Sequence, residues 1–399
     1  MKENYDIIII GAGIIGLSTA YNLLQKDRSL KICIIEKEFG PARHQTGHNS
    51  GVIHSGIYYK PGSLKAINCI RGYKMLLNFC TDNMIPFEIC GKVIVACSEN
   101  ELPGLKRIYD RGQANGVDCA MIDQARLREL EPHTAGIAAI HVPEAGIVNY
   151  GAVCRRLIEL IEQSGGKFVT QAAVTAMRQE ADAVTLESRA GQFRARWAVN
   201  CTGLQSDRTT RLSGREPEVK IVPFRGEYFE LHDSAKRLCR NLIYPVPDPS
   251  FPFLGVHFTR MINGSVECGP NAVLAFAREG YRKRDINLRD LAETLTYAGF
   301  LRMAAKHWRT GCGEMWRSFS KAAFVTALQR LVPDIRSEDL DAAPAGVRAM
   351  ALARDGSIVD DFVIEEHQRV VNVCNAPSPA ATSSLQIGLS IVERFVGRL

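Results

Sequence analysis

A loop of small and hydrogen-bonding residues at positions 47–59, GHNSGVIHSGIYY, is the part of the sequence best suited to chemistry. Its glycines and serines let the backbone pass close to a flat ligand. Asn49 and Ser50 can hydrogen-bond a polar chain of that ligand, and the His54 imidazole can accept a proton near neutral pH. A structural histidine, bonded to the ligand or to a backbone carbonyl, is an equally open interpretation of His54.

The sequence GAGIIG at residues 11–16 follows a strand-like run and opens a helical one. Gly11 permits a tight turn, Gly13 lets the backbone approach a pyrophosphate, and Gly16 permits close helix–strand packing. Glu36 stands at the end of the next strand-like run, where a carboxylate can accept hydrogen bonds from ribose hydroxyls. The spacing predicts a dinucleotide site.

The position of this motif at the N-terminus, and a second small-residue turn at Thr202 and Gly203, favour FAD over NAD. We expect the backbone of Val174 to cover the adenine, although an ordinary sheet valine is an equally good interpretation. The residues expected to bind FAD from these segments are Gly11, Gly13, Ile14, Ile15, Gly16, Glu36, Lys37, His48, Asn49, Ser50, Gly51, Val52, Val174, Thr202 and Gly203.

The chain has 399 residues, which is enough for two or three domain-sized units. Its net charge of +6 is spread along the sequence. This excess fits an ordinary solvated surface, and a basic patch for anionic substrates or acidic lipids is the alternative. No motif indicates nucleic-acid binding, and no apolar run is long enough to span a membrane.

The twelve cysteines have no CxxC spacing, so we expect no metal site and interpret them as buried apolar residues in a reducing compartment. Nothing in the first residues resembles a signal or transit peptide. We therefore expect a cytoplasmic, bacterial-type protein, or one from which a targeting segment has been removed.

The pattern of strands and helices predicts an α/β flavoprotein with two interleaved domains. A glutathione-reductase-like FAD-binding Rossmann domain would comprise residues 1–86, 144–216 and 334–399. A mixed-sheet α+β substrate-binding or cap domain would comprise residues 87–143 and 217–333.

Several motifs together resemble the FAD-dependent L-2-hydroxyglutarate dehydrogenase/oxidase family, within the superfamily of D-amino-acid oxidase. The most specific are HNSGVIHSGIYYKPGSLKA after Gly47, NLIYPVPDP at 241–249 and FLGVHFTR at 253–260. VPFRGEYFEL at 222–231, GPNAVLAFAREGY at 269–281 and the C-terminal NAPSPAATSSLQIG extend the similarity over essentially the whole chain. The resemblance implies oxidation of L-2-hydroxyglutarate to 2-oxoglutarate, with FAD as the hydride acceptor.

The resemblance also implies that Arg348 faces the flavin and holds a substrate carboxylate, a task that suits the paired donors of a guanidinium. A surface arginine is the alternative. Arg225 is a second candidate cation, with holding the two domains together as its alternative role, and Arg260 and Lys321 are weaker ones. Met350 stands where a polar residue is common in the family, so substrate preference could differ here.

His257 and Thr259 alternate on one predicted strand and therefore share a face, which makes His257 a rival to His54 for the catalytic base. Tyr58, Tyr59 and Tyr244 are expected to hydrogen-bond a substrate carboxylate or, alternatively, to pack. The predicted catalytic residues are His54, His257 and Arg348; the predicted substrate-binding residues are Arg225, Tyr58, Tyr59, Tyr244 and Thr259.

In the superfamily the loop before the last helix passes the flavin and directs backbone N–H groups at its N1 and O2. The matching positions are Pro379, Ala380, Ala381 and Thr382. Such donors would stabilise the anionic reduced flavin. An ordinary helix cap is the alternative, since small residues serve both purposes.

Three rival functions remain open at this stage. Another flavin oxidoreductase on this fold would act on a different 2-hydroxy acid, an amino acid or an amine. A non-catalytic flavoprotein subunit would bind FAD and no small acid, and a nicotinamide-dependent dehydrogenase would be colourless. The expected partners are a small dicarboxylate and an electron acceptor, either a membrane quinone or oxygen. Peripheral association with the inner face of the cell membrane is a further expectation that follows from the family alone, because the sequence has no evident amphipathic anchor.

Overall fold

The structure, a computed structural model, describes residues 4–248, 254–395 and 397. Pro249 and Phe253 of the motifs quoted above lie outside the described residues. So do residues 1–3, 396, 398 and 399 of the expected FAD-binding domain.

The helices of the described part of the chain are α1 Ile14–Lys26, α2 Leu64–Asp82, α3 Leu102–Ala114, α4 Gln124–Leu130, α5 Tyr150–Gln163, α6 Ser206–Leu212, α7 Leu288–Leu295, α8 Ala298–Phe319, α9 Lys321–Gln329 and α10 Ser384–Phe395. The strands are β1 Asn4–Ile10, β2 Ile32–Ile35, β3 Val52–Ile53, β4 Phe87–Glu88, β5 Lys92–Ala96, β6 Ala120–Asp123, β7 Ala138–Val142, β8 Gly146–Val148, β9 Lys167–Val169, β10 Val174–Gln179, β11 Val184–Ser188, β12 Gly191–Asn200, β13 Lys220–Leu231, β14 Leu242–Pro245, β15 His257–Arg260, β16 Val266–Gly269, β17 Val273–Leu274, β18 Leu340–Leu352, β19 Val363–His367 and β20 Val370–Asn375.

The first sheet contains the predicted nucleotide-binding unit. Its parallel part has the order β9-β2-β1-β12-β20, and β10, β11 and β19 extend it with antiparallel pairing. The apolar run of β1 is buried on both faces, as a central parallel strand requires. Helices α1, α5 and α10 cover one face and share one apolar core with it. The α/β fold expected from the sequence is therefore confirmed.

The second sheet has nine strands and is mixed, since β14 and β5 pair in parallel whereas their neighbours are antiparallel. Paired residues of neighbouring strands share a face. The register pairs Lys92 with Leu242 and, on the next strand, Leu242 with Thr259. One face of this sheet packs on the core around Phe258 and Phe324. The other face carries Lys92, Tyr244, His257 and Thr259.

Two details differ from the sequence-based elements. Strand β18, which the expected boundary at residue 334 puts in the FAD-binding unit, pairs along its length with β13 in the nine-stranded sheet. The apolar run KFVTQAAV at residues 167–174 is typical of one short strand, but the structure divides it between β9 and the start of β10, with Gln171 at a φ of +56° between them. Both differences arise from pairing and turn geometry that a short apolar run does not encode. The exact domain bounds stay a prediction.

Candidate active site

A cavity of about 990 Å³ extends from the glycine turn of the first sheet to the polar face of the second. Most of the predicted site residues line it: Gly11, Gly13, Ile14, Ile15, Glu36, Lys37, His48, Asn49, Ser50, Val52, His54, Val174, Thr202, Gly203, Tyr244, His257, Arg348, Pro379, Ala380 and Ala381. Segments that are far apart in the sequence thus converge on one space, which is large enough for an extended cofactor and a small substrate.

The glycine turn has the geometry expected for a phosphate cradle. Gly11 has a φ of +103°, and a Cβ there would lie 2.7 Å from the carbonyl oxygen of Cys201. A Cβ on Gly16 would lie 2.1 Å from the carbonyl oxygen of Gly11. Gly13, the N-cap of α1, has no side-chain acceptor of its own, and it lines the cavity together with Ile14 and Ile15 at the start of the helix. A pyrophosphate fits such a helix N-terminus, because the N–H groups and the helix dipole favour an anion.

Glu36 fixes the shape of this cradle as well as lining the cavity. Its Oε2 accepts a hydrogen bond from the backbone N–H of Ala12 at 2.7 Å, and its Oε1 accepts one from Glu38 at 3.0 Å. Thr46 was not identified from the sequence, yet its Oγ1 accepts from the N–H of Ile14 at 3.2 Å. Thr46 directly precedes the loop at 47–59, and no sequence signal singled it out.

Asn49 organises the loop rather than reaching freely into the cavity. Its Nδ2 donates to the carbonyl oxygens of Gln45 and Thr46, and its Oδ1 accepts from the N–H of Gly51 at 2.9 Å. This leaves Ser50 as the loop residue better able to hydrogen-bond a cofactor. Gly51 itself has a φ of +65°, with a would-be Cβ 2.6 Å from the carbonyl oxygen of Val148, so it is needed for the path of the backbone.

Lys37 lies at the mouth of the cavity within a group of charged residues. Its Nζ lies 2.5 Å from Glu38 and 2.9 Å from Glu279, while His44 lies 3.0 Å from Glu38. Burial lowers the pKa of Lys37, but the hydrogen bonds to the two carboxylates outweigh burial and raise it overall. Lys37 already neutralises the carboxylates that could otherwise attract a cation.

The polar face of the second sheet forms the far wall of the cavity. The ring centroids of Tyr244 and His257 lie 4.1 Å apart. Arg348 lies on β18 opposite Phe224 of β13 and lines the same cavity. Tyr228, which the sequence analysis missed, also lines it. Burial raises the pKa of Tyr228, and the charge of Arg348 and a hydrogen bond with it oppose that rise.

Both candidate bases are neutral imidazoles. Burial, followed by the charges of Lys92, His257 and Lys65, lowers the pKa of His54 to about 3. Burial and the charges of Arg348 and Lys92 lower the pKa of His257 to about 3, against an opposing hydrogen bond with the carbonyl oxygen of Gly255. The His257 Nδ1 lies 2.9 Å from that oxygen, so Nδ1 carries the proton and Nε2 is the acceptor.

Thr382 lies on the side of the His54 loop away from the cavity and hydrogen-bonds its backbone. Its Oγ1 accepts from the backbone N–H of His54 at 3.1 Å and lies 2.9 Å from the hydroxyl of Tyr150. Thr382 is fully buried and is not among the residues that line the cavity, whereas Pro379, Ala380 and Ala381 are. The loop before α10 therefore reaches the cavity through its first residues only.

The structure does not bring Arg225 to the cavity. Its guanidinium is buried and lies 3.0 Å from the carboxylate of Glu227. Arg260 pairs with Glu88, and the Lys321 Nζ donates to the carbonyl oxygen of Leu340. Within the described residues, the lining also leaves out Gly16, Gly51, Tyr58, Tyr59, Thr259 and Thr382. Arg225, Arg260 and Lys321 are therefore already paired with acceptors of the protein itself. Their positions on β13, β15 and α9 place them beside those acceptors.

Lys92 is the main polar residue near the site that the sequence analysis did not single out. It is 1% exposed, and its Nζ lies 4.3 Å from the ring centroid of Tyr244. In the sequence, Lys92 is the first residue of the β-branched run of β5, a position typical of an exposed residue at the end of a strand. Only its alternation with Ile94 and Ala96, seen together with the pairing of β5 and β14, could have indicated its position.

Comparison with known proteins agrees with this geometry. The family model described as FAD dependent oxidoreductase matches residues 6–394. Among solved structures, L-alpha-glycerophosphate oxidase from Mycoplasma pneumoniae has a TM-score of 0.81 at 22% identity, covering 99% of this chain and 95% of that one. Glycine oxidase from Geobacillus kaustophilus has a TM-score of 0.74 at 17% identity, covering 99% and 95%. At these identities the likeness shows the fold.

Curated relatives are much more similar in sequence. L-2-hydroxyglutarate dehydrogenase from Indibacter alkaliphilus is 50% identical, covering 98% of both chains. The Escherichia coli K12 protein of the same name is 45% identical, covering 98% of this chain and 93% of its own. The mitochondrial one from Mus musculus is 44% identical, covering 96% and 87%. This chain therefore belongs to the FAD-dependent oxidoreductase family, and within it to the family of the L-2-hydroxyglutarate dehydrogenases, with FAD as its cofactor.

Proposed function

We propose that this protein oxidises L-2-hydroxyglutarate to 2-oxoglutarate. The observation that carries the proposal is the meeting of Arg348, His54 and His257 in one cavity that begins at the glycine turn. A cation for a carboxylate and a base for a hydroxyl are the two groups that a 2-hydroxy acid needs. The relatives that match almost the whole chain are named for the same substrate.

Arg348 would hold the C1 carboxylate with its paired donors and so direct C2 and its hydroxyl toward the histidines. When bound, FAD supplies the acceptor for the hydride that leaves C2, at the flavin N5. The hydroxyl proton passes to an imidazole nitrogen, and the C2–O single bond becomes the carbonyl of 2-oxoglutarate. The substrate thus loses one proton and one hydride, and no other reactant is needed for this half of the reaction.

We assign the proton to His54. Within the described residues nothing hydrogen-bonds its ring, which faces the cavity, whereas the His257 ring is held by Gly255 and by stacking on Tyr244. His257 would then orient the substrate hydroxyl or carboxylate through Nε2. The low pKa of His54 owes much to burial and to nearby positive charge. The two substrate carboxylates would offset that charge, which would raise the pKa toward the range of an effective base.

Turnover with an artificial dye as acceptor tests the substrate. L-2-hydroxyglutarate should give 2-oxoglutarate in proportion to dye reduced, while the D-enantiomer, L-lactate, glycine and glycerol 3-phosphate should give little product. L-lactate and glycine represent the rival 2-hydroxy acid and amino acid, and glycerol 3-phosphate represents the L-alpha-glycerophosphate oxidase of similar fold. Comparable rates with one of them, and none with L-2-hydroxyglutarate, would replace the proposed substrate.

For the second half of the reaction, we propose a membrane quinone as the electron acceptor and α8 as the part of the surface that meets the membrane. No helix in the described residues is long and apolar enough to cross a membrane. Helix α8, which is kinked at His307, nevertheless exposes large apolar side chains before and after the kink: Leu301 (50%), Trp308 (60%), Trp316 (66%) and Phe319 (72%). Exposed Arg302, Lys306 and Arg309 lie on the same helix. Apolar and basic faces side by side suit an interface with anionic lipid.

Vesicle flotation tests this surface. The holoenzyme should float with vesicles that contain anionic lipid and should remain behind with neutral ones, and Trp308→Ser with Trp316→Ser should abolish flotation. Met84→Ser, which removes an apolar side chain that is 90% exposed elsewhere, serves as the control. If the variant with both tryptophans replaced floats as well as Met84→Ser, α8 is not the membrane-binding surface. Rapid oxidation of the reduced enzyme by oxygen would favour oxygen as the acceptor.

A further inference from the structure

Lys92 occupies an unusual position for a lysine, on the same face of the second sheet as Tyr244 and His257. Those two residues line the cavity, and Lys92 lies behind the ring of Tyr244 and does not line it. It is 1% exposed and pairs with Leu242, which places it on the same face as Tyr244 and His257. Its Nζ lies 4.3 Å from the ring centroid of Tyr244 and 5.5 Å from that of Tyr58. Contacts with ring faces stabilise a cation but do not neutralise it.

No carboxylate in the described part of the chain pairs with Lys92. The titratable groups that face it from the packed elements are Tyr58, Cys69, Cys90, Tyr244, His54 and His257. Burial lowers the pKa of Lys92 to about 8, with Cys69 and Cys90 opposing that shift. The side chain is therefore mostly protonated at neutral pH. A buried ammonium without a counter-charge is costly to the folded protein, which indicates that an anion enters its surroundings during function.

The cations that were expected for a second carboxylate have partners, and so does Lys65, which lines the cavity. Arg225 pairs with Glu227, Arg260 with Glu88 and Lys65 with Asp360, while Lys321 donates to Leu340. Lys92 differs from these four because its charge is directed at the aromatic and imidazole groups of the cavity wall. It acts with Arg348 on His257, since both charges lower the pKa of that ring.

We propose that Lys92 is the second cation of the substrate site, and that its charge, acting across the ring of Tyr244, selects dianionic over monoanionic substrates. The inference deepens the proposed function and rests on it, because a dicarboxylate has a distal charge that a monocarboxylate lacks. Lys92 also keeps His54 and His257 unprotonated until the substrate arrives, since its positive charge opposes a second one on either ring.

Binding of two unreactive acids to the holoenzyme separates charge selection from chemistry. Glutarate carries both carboxylates and butyrate carries one; each is titrated while the flavin absorbance is followed. Lys92→Met keeps the length of the side chain and removes its charge. We expect the Kd for glutarate to rise roughly 10- to 100-fold and that for butyrate to change less than about 3-fold. Lys106→Met, an exposed lysine on α3, controls for net charge.

Two further measurements keep the inference testable if Lys92→Met binds FAD poorly. In the unaltered holoenzyme the preference for glutarate over butyrate should decline as the pH rises through about 8, where Lys92 loses its charge. Where Lys92→Met does bind FAD, the acidic limb of its kcat/KM profile should move to higher pH, because the histidines lose a repelling charge. Replacement of a lysine with a purely structural role would not shift the acidic limb of the kcat/KM profile.

An unchanged ratio of the two dissociation constants in Lys92→Met, together with a pH-independent preference in the unaltered enzyme, would overturn the inference. Reduction of the flavin by L-2-hydroxyglutarate in the unaltered enzyme is recorded alongside. If that reduction occurs and the ratio is unchanged, only the role of Lys92 is wrong. If glutarate selectivity depends on Lys92 but L-2-hydroxyglutarate leaves the flavin oxidised, the proposed substrate is wrong and the dianion site stands.

Discussion

The backbone N–H of His54 donates to the Oγ1 of Thr382 at 3.1 Å, joining two loops that are 328 residues apart in the sequence. Thr382 also lies 2.9 Å from the hydroxyl of Tyr150. A fully buried hydroxyl therefore holds the backbone N–H of the candidate base, while the Cys69 thiol donates to the His54 carbonyl oxygen at 3.3 Å.

Thr382→Ala should consequently lower kcat by roughly 10-fold with a smaller change in KM, because a base displaced by a fraction of an ångström transfers a proton less efficiently. Thr382→Ser should restore most of the rate. Thr326→Ala, at an exposed threonine of α9, is the matched control. Stopped-flow measurement of flavin reduction provides the rate, and a variant that reduces flavin normally would exclude this positioning role.

The two histidines should differ in their kinetic effects. His54→Asn removes the proposed base and should lower the rate of flavin reduction by roughly 10²–10⁴-fold. His257→Asn should mainly raise KM, since its ring is fixed by Gly255 and would orient the substrate. The reverse pattern in single-turnover kinetics would transfer the role of base to His257.

Substitution of Arg348 should affect substrate binding, whereas substitution of Arg225 should affect the stability of the folded protein. Arg348→Gln should raise KM by roughly 100-fold with little change in unfolding, because a bidentate contact to a carboxylate is lost. Arg225→Gln removes the nearer cation of Glu227, leaving Lys283 at 3.7 Å, and should lower the free energy of unfolding by about 2 kcal/mol. Urea unfolding and steady-state kinetics measure both properties; a large KM effect from Arg225→Gln would return Arg225 to the substrate site.

The glycine turn offers a matched pair of substitutions. Gly11→Ala forces a Cβ to within 2.7 Å of the carbonyl oxygen of Cys201, beside the proposed pyrophosphate. Gly62 also has a positive φ, +78°, but a Cβ there meets nothing within 4 Å. Both variants bear the backbone strain of about 1–2 kcal/mol, and only Gly11→Ala should lose FAD. The ratio of flavin to protein absorbance reports the outcome, and equal FAD content in the two variants would contradict this assignment.

Glu267 should make the protein more stable in mild acid than in base. It lies beside Glu230 across the strand pair β13 and β16. Burial, and then the charge of Glu230, raises the pKa of Glu267 to about 7. A raised carboxyl pKa means that its stabilising contribution is present below about pH 4.5 and is lost as the pH rises through about 7.

Glu267→Gln should therefore stabilise the protein by up to about 3 kcal/mol at pH 8 and by little at pH 5. Glu338→Gln, at an exposed carboxylate, should have no such pH dependence. Thermal unfolding between pH 5 and 8 distinguishes the two, and parallel curves for the Glu267 variant and the unaltered protein would contradict the predicted shift.

The sequence predicted the nucleotide cradle well because the requirements of that cradle are local. Gly11 and Gly16 are needed by backbone atoms within one βαβ unit, and Glu36 closes the same unit through Ala12. The run KIVPFRGEYFEL at residues 220–231 likewise predicts a strand from its β-branched and aromatic residues, and β13 has these bounds, Lys220–Leu231.

The substrate wall was harder to predict because it depends on strand register. Lys92 reaches Tyr244 and His257 only through the pairing of β5, β14 and β15, which are distant in sequence. Arg225 was expected at the substrate, yet Glu227 two residues away on the same strand captures it. Whether a cation is available or paired is decided by tertiary neighbours, and residue type alone carries no such information.

The most direct test of the account is the absorbance spectrum of the purified protein under anaerobic conditions, before and after addition of L-2-hydroxyglutarate, with the D-enantiomer as control. We predict that the flavin band near about 450 nm bleaches with the L-form alone, because Arg348 and the histidines would present one face of C2 to the flavin. A flavin band that neither enantiomer bleaches, in a protein with full FAD content, would contradict the proposed substrate.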